Sequence, residues 1–224
     1  MHARVPRRAI VLRPEPGNAR TADRLTAAGV EPVRWPLFKV VPVAWALPDV
    51  TRFDSLLVTS ANAIHHAGAG LARLRHLPVA AVGGRTADAA RAVGLDVAVV
   101  GDSDAAAAMS LARAAGLARP LHLAGRDHRE TDAETVVVYS SDPVLVPLGA
   151  MTVALDSIAL LHSPRAARRF GALLARDMVD RSRVGVAALS PAVLAAAGDG
   201  WAFTLVASTP DDAALVALVA HAGD

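Results

Sequence analysis

One strand–turn–helix pattern occurs twice in this chain, and few architectures other than a layered α/β protein accommodate it. The first copy is DSLLVTSANAIHHAG at residues 54–68. Residues 56–58 are too short an apolar run for a helix and read as a buried parallel strand. Ser60 stands where a helix N-cap belongs, and Ala63, Ile64, Ala67 and Leu71 form one apolar helical face. Thr59, Ser60 and Asn62 are therefore expected at the carboxyl end of a strand, the corner where open α/β sheets bind ligands. The second copy, DSIALLHSPRAARRFG at residues 156–171, repeats the strand, the capping Ser163 and the closing Gly171. Pro164 falls at the first helical position, where its missing N–H is not needed.

Each copy is followed by matching units in the same order. VAAVGGRT at 79–86 leads into a helix ending at Gly94, and VAALSP at 186–191 into one ending near Gly198. Residues 97–100 precede Ser103 and Asp104, as 204–207 precede STPDD at 208–212. The fold class read from this order is α/β: two similar doubly wound, flavodoxin-like parallel-sheet domains, internally duplicated. At 224 residues the chain suits one large domain or two of about 100. Residues 9–12 form a first strand, and Asn18 is expected to cap a helix bearing Ala22, Leu25 and Ala28. EPVRWPLFKVVPV at 31–43 carries three prolines and is extended, an edge strand or linker rather than a helix. TVVVYSSDP at 135–143 is its β-rich counterpart. Too few units follow the second crossing to complete a doubly wound half, and the N-terminal unit supplies the missing one. The expected division is 1–37 with 143–224, against 44–134, joined by linker strands at 38–43 and 135–142, with a hinge and cleft beside them. The polar loop after 121–125 leaves no room for a full helix before the next strand, which is unusual in a parallel sheet.

Composition removes several functions. There is no cysteine, so disulfide and thiolate chemistry are absent. Arg4, Arg7 and Arg8 run straight into a strand, without a leader's apolar region, and no apolar run reaches membrane-spanning length. A cytoplasmic protein acting away from membranes is expected. Net charge is +2, with no charge block or aromatic–basic interleaving to suggest nucleic acid. Lys39 is the sole lysine among the cations, and arginine is the better bidentate partner for carboxylates.

The ordered motifs LRPEP (12–16), FDSLLVTSANA (53–63), AVGGRT (81–86), VVVY (136–139), LHSPRA (161–166) and ALSPA (188–192) resemble those of the uroporphyrinogen-III synthase family nearly end to end. The resemblance implies two α/β domains with a two-stranded linker and the N-terminal unit folded into the C-terminal domain. It implies a lyase of porphyrin and heme biosynthesis that uses no cofactor. Its substrate is the carboxylate-rich linear tetrapyrrole hydroxymethylbilane, closed with inversion of the last pyrrole ring and loss of water through azafulvene and spiro intermediates. Two departures stand out: the helix after 121–125 is largely deleted, and the family's Gly-Pro-Thr-Thr pattern reads SPAV at 190–193, so a threonine is missing beside Ser190.

Tyr139 is the only tyrosine and matches the family's linker tyrosine. It is the expected donor to the departing hydroxyl, or else a half-buried strand residue. Expected substrate contacts are Arg13, Thr59, Ser60, Asn62, Gly83, Arg85, Thr86, Gly125, Ser163, Arg165 and Ser190. For Arg13 a structural salt bridge competes with that reading; Arg168 and Arg169 fit a solvated helix face better than a site. Gly83 and Gly84 do not meet dinucleotide-loop spacing, and there is no P-loop. His65 and His66 point different ways, and His122 and His128 have no partner at ligand spacing, so no metal is expected. Ser163 follows His162 directly and resembles no nucleophile elbow. A monomer is expected. The competing reading is a non-enzymatic two-lobed binding protein for a small carboxylated ligand.

Overall fold

The structure is a computed structural model describing residues 8–222. Arg4 and Arg7, read as part of a leaderless start, lie outside the described residues. The strands are β1 (Arg8–Val11), β2 (Glu31–Arg34), β3 (Phe38–Pro42), β4 (Ser55–Val58), β5 (Val79–Val82), β6 (Val97–Gly101), β7 (Pro120–Gly125), β8 (Glu134–Pro143), β9 (Ser157–Leu161), β10 (Val184–Ala188) and β11 (Phe203–Val206). The helices are α1 (Gly17–Ala27), α2 (Ala61–His66), α3 (Gly84–Ala92), α4 (Ala105–Ala114), α5 (Pro164–Arg176), α6 (Pro191–Ala197) and α7 (Asp212–His221). The chain divides into two compact units, one formed by the described residues up to Lys39 and from Pro143 onward, the other by Val40–Asp142.

The first unit holds a five-stranded sheet in the order β11-β10-β9-β1-β2, parallel at every pairing. Every residue of β9 and β10 is buried, which is why both, after Ser157, read as apolar runs: each face of the sheet is covered by helices. Ile10, Ala159, Leu161 and Val186 meet Phe170 and Leu174 of α5 on one face. Ala9, Val11, Ile158 and Leu160 meet Leu25 of α1 and Leu215 and Val219 of α7 on the other. Ser163 caps α5 by accepting from the Ala166 amide at 3.2 Å, with Pro164 in the first turn.

Asn18 differs from its expected role. Helix α1 begins at Gly17, and Asn18 sits buried inside its first turn. Its Nδ2 donates to the Val11 and Arg13 carbonyls at 2.7 and 2.9 Å, tying helix to strand instead of capping it.

The second unit holds the sheet β3-β8-β7-β4-β5-β6, parallel from β8 through β6. Leu56, Val58, Leu121 and Leu123 pack on Ile64 and Ala87, and Leu57 and Ala80 pack on Ala108 and Met109 of α4. Helix α2 is shorter than its apolar spacing suggests. Gly68, at φ +65, ends it, and Leu71 is buried from a 3-10 turn, Gly68–Leu74. The Trp45 ring lies so close beneath Gly70 that a Cβ there would meet it at 2.4 Å.

No helix separates β7 from β8, yet they pair in parallel, Leu121 opposite Glu134. The return covers only about four strand residues, roughly 13 Å. The residues 126–133 span that distance without helix, since each extends by about 3.3 Å. A cavity of about 310 Å³ lies there beside α4, lined in part by Met109, Arg113, Arg129 and Asp132. Among the described residues no helix is long and apolar enough to cross a membrane.

Candidate active site

In an open parallel sheet the ligand crevice opens at the carboxyl ends of the strands where the winding reverses. In the second unit that point lies between β4 and β7. The pairing of β7 with β8 shifts register at Ala124/Gly125, so Gly125 faces Tyr139 instead of Val138. A bulge of this kind re-aims a side chain, and here it turns the tyrosine ring onto the glycine. A Cβ at Gly125 would meet Tyr139 Cζ at 2.5 Å and its hydroxyl oxygen at 2.8 Å. Tyr139 is half-buried against the α2 face of the sheet, its ring centroid 6.3 Å from that of His66. Burial, and the neighbouring His65, push the His66 imidazole below its ordinary pKa.

Thr59 lies on the opposite face. Its register neighbour Leu57 pairs with His122 and packs toward α4. Thr59 Oγ1 is 3.3 Å from His122 Nε2, and His122 Nδ1 is 3.4 Å from Thr135 Oγ1. His122 is 1% exposed. Burial, reinforced by His128 edge-on at 5.7 Å, pushes its pKa down to about 4. Ser60 caps α2 by accepting from the Asn62 amide at 3.2 Å, and Asn62 is half-buried in the first turn. At α3 the cap is Gly83, whose φ of +78 explains the glycine there. Arg85 is exposed at that corner, whereas Thr86 is buried. Among the described residues no three His, Asp or Glu side chains gather as a metal would require.

In the first unit the reversal lies between β1 and β9. Arg13, expected either to face a ligand or to form a salt bridge, pairs with Asp212 at 2.9 Å. The same carboxylate accepts from Thr21 at 2.6 Å and His162 Nε2 at 2.7 Å, and pairs with Arg24. Burial would raise the Asp212 carboxyl, but the donors His162, Thr21 and Arg24 outweigh it and hold it far below the usual range. His162 is held below its ordinary value by burial, with Arg13 adding to the effect. Ser163 and Ser190 serve as caps of α5 and α6, and the Arg165 guanidinium lies over the Phe38 ring at 4.4 Å.

The profile of uroporphyrinogen-III synthase HemD matches residues 19–217. The chain belongs to the uroporphyrinogen-III synthase family. No curated protein matches its sequence. The fold is similar to crystal structures of two uroporphyrinogen-III synthases. That of the Helicobacter pylori enzyme shares 16% identity over 94% of this chain and 97% of that chain, with a TM-score of 0.65. That of a mutant Thermus thermophilus enzyme shares 13% over 96% and 98%, with a TM-score of 0.58. The second unit brings Tyr139 and Gly125 together at the carboxyl end of β7.

Three residues that shape these sites carry no sufficient local signal in the sequence. His122 and His128 have no partner at ligand spacing, and Asp212 closes the polar STPDD run before an apolar helix. His122 finds its partners across β4 and β8, and Asp212 stands 199 positions from Arg13. The one local signal for Asp212 was its place among polar residues before an apolar helix.

Proposed function

We propose that this uroporphyrinogen-III synthase uses Tyr139 to donate a proton to the departing hydroxyl of hydroxymethylbilane, giving the azafulvene that closes through a spiro intermediate. The observation that supports this is the bulge opposite Gly125, which holds the tyrosine ring in one place at the carboxyl end of β7. The chain then supplies orientation: it holds the tetrapyrrole so that attack falls on the substituted carbon of the last ring. Ser60, Asn62 and exposed Arg85 in one unit, and Ser163, Arg165 and Ser190 in the other, are read as contacts for carboxylates. Arg13, paired with Asp212, shapes its strand end instead.

The two units are read as copies of one ancestor. The orders β2-β1-β9-β10-β11 and β8-β7-β4-β5-β6 align strand for strand, which supports duplication. α1, between β1 and β2, has no helical counterpart between β7 and β8. Strands β3 and β8 are read as the two-stranded linker, and the protein as a monomer.

The test is to supply freshly generated hydroxymethylbilane and resolve the isomers of the oxidised product. The expected product is the inverted isomer. Tyr139→Phe should slow consumption on the order of 10–100-fold while keeping inversion, since water can partly replace an acid. Wild-type rate in that variant would remove Tyr139 from the chemistry. Uninverted product from the wild-type chain would refute the reading altogether.

A further inference from the structure

We propose that His122 is a positioning residue that fixes the Thr59 hydroxyl as a hydrogen-bond acceptor, so that Thr59 receives a pyrrole N–H of the substrate and turns its carboxylates away. The identity of the substrate rests on the reading above; the polarity of Thr59 rests on a chain of hydrogen bonds within one unit.

That chain starts at a group with a single possible role. The Ala133 carbonyl can only accept, and Thr135 Oγ1 lies 3.1 Å from it. Thr135 has one hydroxyl proton and donates it there. Toward His122 Nδ1, at 3.4 Å, the Thr135 oxygen can then only accept, so Nδ1 carries the imidazole proton. A neutral imidazole has one N–H, and His122 is neutral because it is buried and faces His128. Nε2 is therefore bare, and Thr59, 3.3 Å away, donates its own proton to it. What Thr59 has left at the carboxyl end of β4 is a pair of oxygen lone pairs. Those repel a carboxylate and suit an N–H donor, and in a linear tetrapyrrole the N–H donors are the pyrroles. Thr59, read from sequence as a carboxylate contact, becomes the group that recognises the ring, and Ser60, Asn62 and Arg85 remain for the acids.

The test has a spectroscopic arm and a kinetic arm, both on the full chain. In histidine-labelled protein at pH 7, long-range 15N–1H correlation should show His122 as the neutral Nδ1–H tautomer with Nε2 unprotonated; an Nε2–H signal overturns the proposal. Thr135→Val removes the acceptor from Nδ1 without touching the site. It should bring up the Nε2–H tautomer and raise KM about five- to tenfold, the worth of one neutral hydrogen bond, with kcat little changed. Thr135→Ser should restore both. Thr59→Val should raise KM similarly. A purely structural role for His122 would lower the melting temperature of the Thr135 variant and leave tautomer and KM as they were, which also refutes the proposal. An Nε2–H imidazole in an active wild-type chain sinks this proposal alone; a wild-type chain that makes no inverted product sinks the substrate reading and the pyrrole contact with it.

Discussion

Replacing Asp212 by Asn tests the account of the first unit most sharply. The carboxylate is 11% exposed and serves Arg13, Thr21, Arg24 and His162 at once. Asn keeps the shape and one acceptor oxygen, so the bond from Thr21 can persist, but the charge is lost. Arg13, 17% exposed, loses the charged acceptor 2.9 Å from its guanidinium. A hydrogen bond to a charged group contributes about 1 kcal/mol more than a neutral one, and both Arg13 and His162 lose that increment. About 3–5 kcal/mol, the cost of breaking a buried ion pair outright, is the ceiling. Arg24 is 48% exposed and adds little. The expected loss is about 2–4 kcal/mol, a large part of the stability of an ordinary domain, and a fall in melting temperature of roughly 5–15 °C. The depressed Asp212 carboxyl contributes stability that is present above the unfolded carboxylate pKa and lost as pH falls through the folded one. The difference between the two proteins should therefore shrink below about pH 4. Thermal and urea melts followed by circular dichroism give the loss, and the fluorescence of Trp45, in the other unit, reports whether that unit unfolds with it once Trp35 and Trp201 are replaced by Phe in both proteins. A variant within about 0.5 kcal/mol of wild type at pH 7 would refute the claim that this carboxylate holds the unit together.

The remaining predictions are more local. Because the His122 pKa falls from 6.5 to about 4 on folding, the unfolded chain binds its proton more readily, and stability should drop by about 3 kcal/mol between pH 6.5 and 4. His162 adds in the same direction; His122→Asn should flatten the slope in pH-dependent melts, and an unchanged slope would contradict the burial argument. Gly125→Ala should push the Tyr139 ring aside and slow turnover about as much as Tyr139→Phe, although it removes no polar group; wild-type kcat would show that the ring's place is immaterial. Arg85→Ala should weaken substrate binding by about 1 kcal/mol, more at low salt than at high, with an unchanged melt. Arg13→Ala should do the reverse, so a KM change without destabilisation would return Arg13 to the binding residues.

What the sequence by itself determined is what short-range chemistry decides. Residues 56–58, 79–82 and 158–161 are unbroken apolar runs because both faces of their strands are covered, and that pattern names a parallel α/β protein without a structure. Ser60 and Ser163 are legible as caps because the amides they serve lie two or three residues away. Asn18 shows the limit of that logic: its type suits a cap, yet its partners are the carbonyls at the end of β1, reached only once helix and strand are packed. The substrate's chemistry came from the resemblance, through motifs that run the length of the chain. Tertiary structure alone decided which polar groups meet. The register shift that turns Tyr139 onto Gly125, the hydroxyls of Thr59 and Thr135 on either side of His122, and the carboxylate that gathers Arg13, Thr21, Arg24 and His162 all join groups from different strands and helices. Strand order sets which of them meet, and it follows from the packing of whole faces, which no spacing within a single segment records.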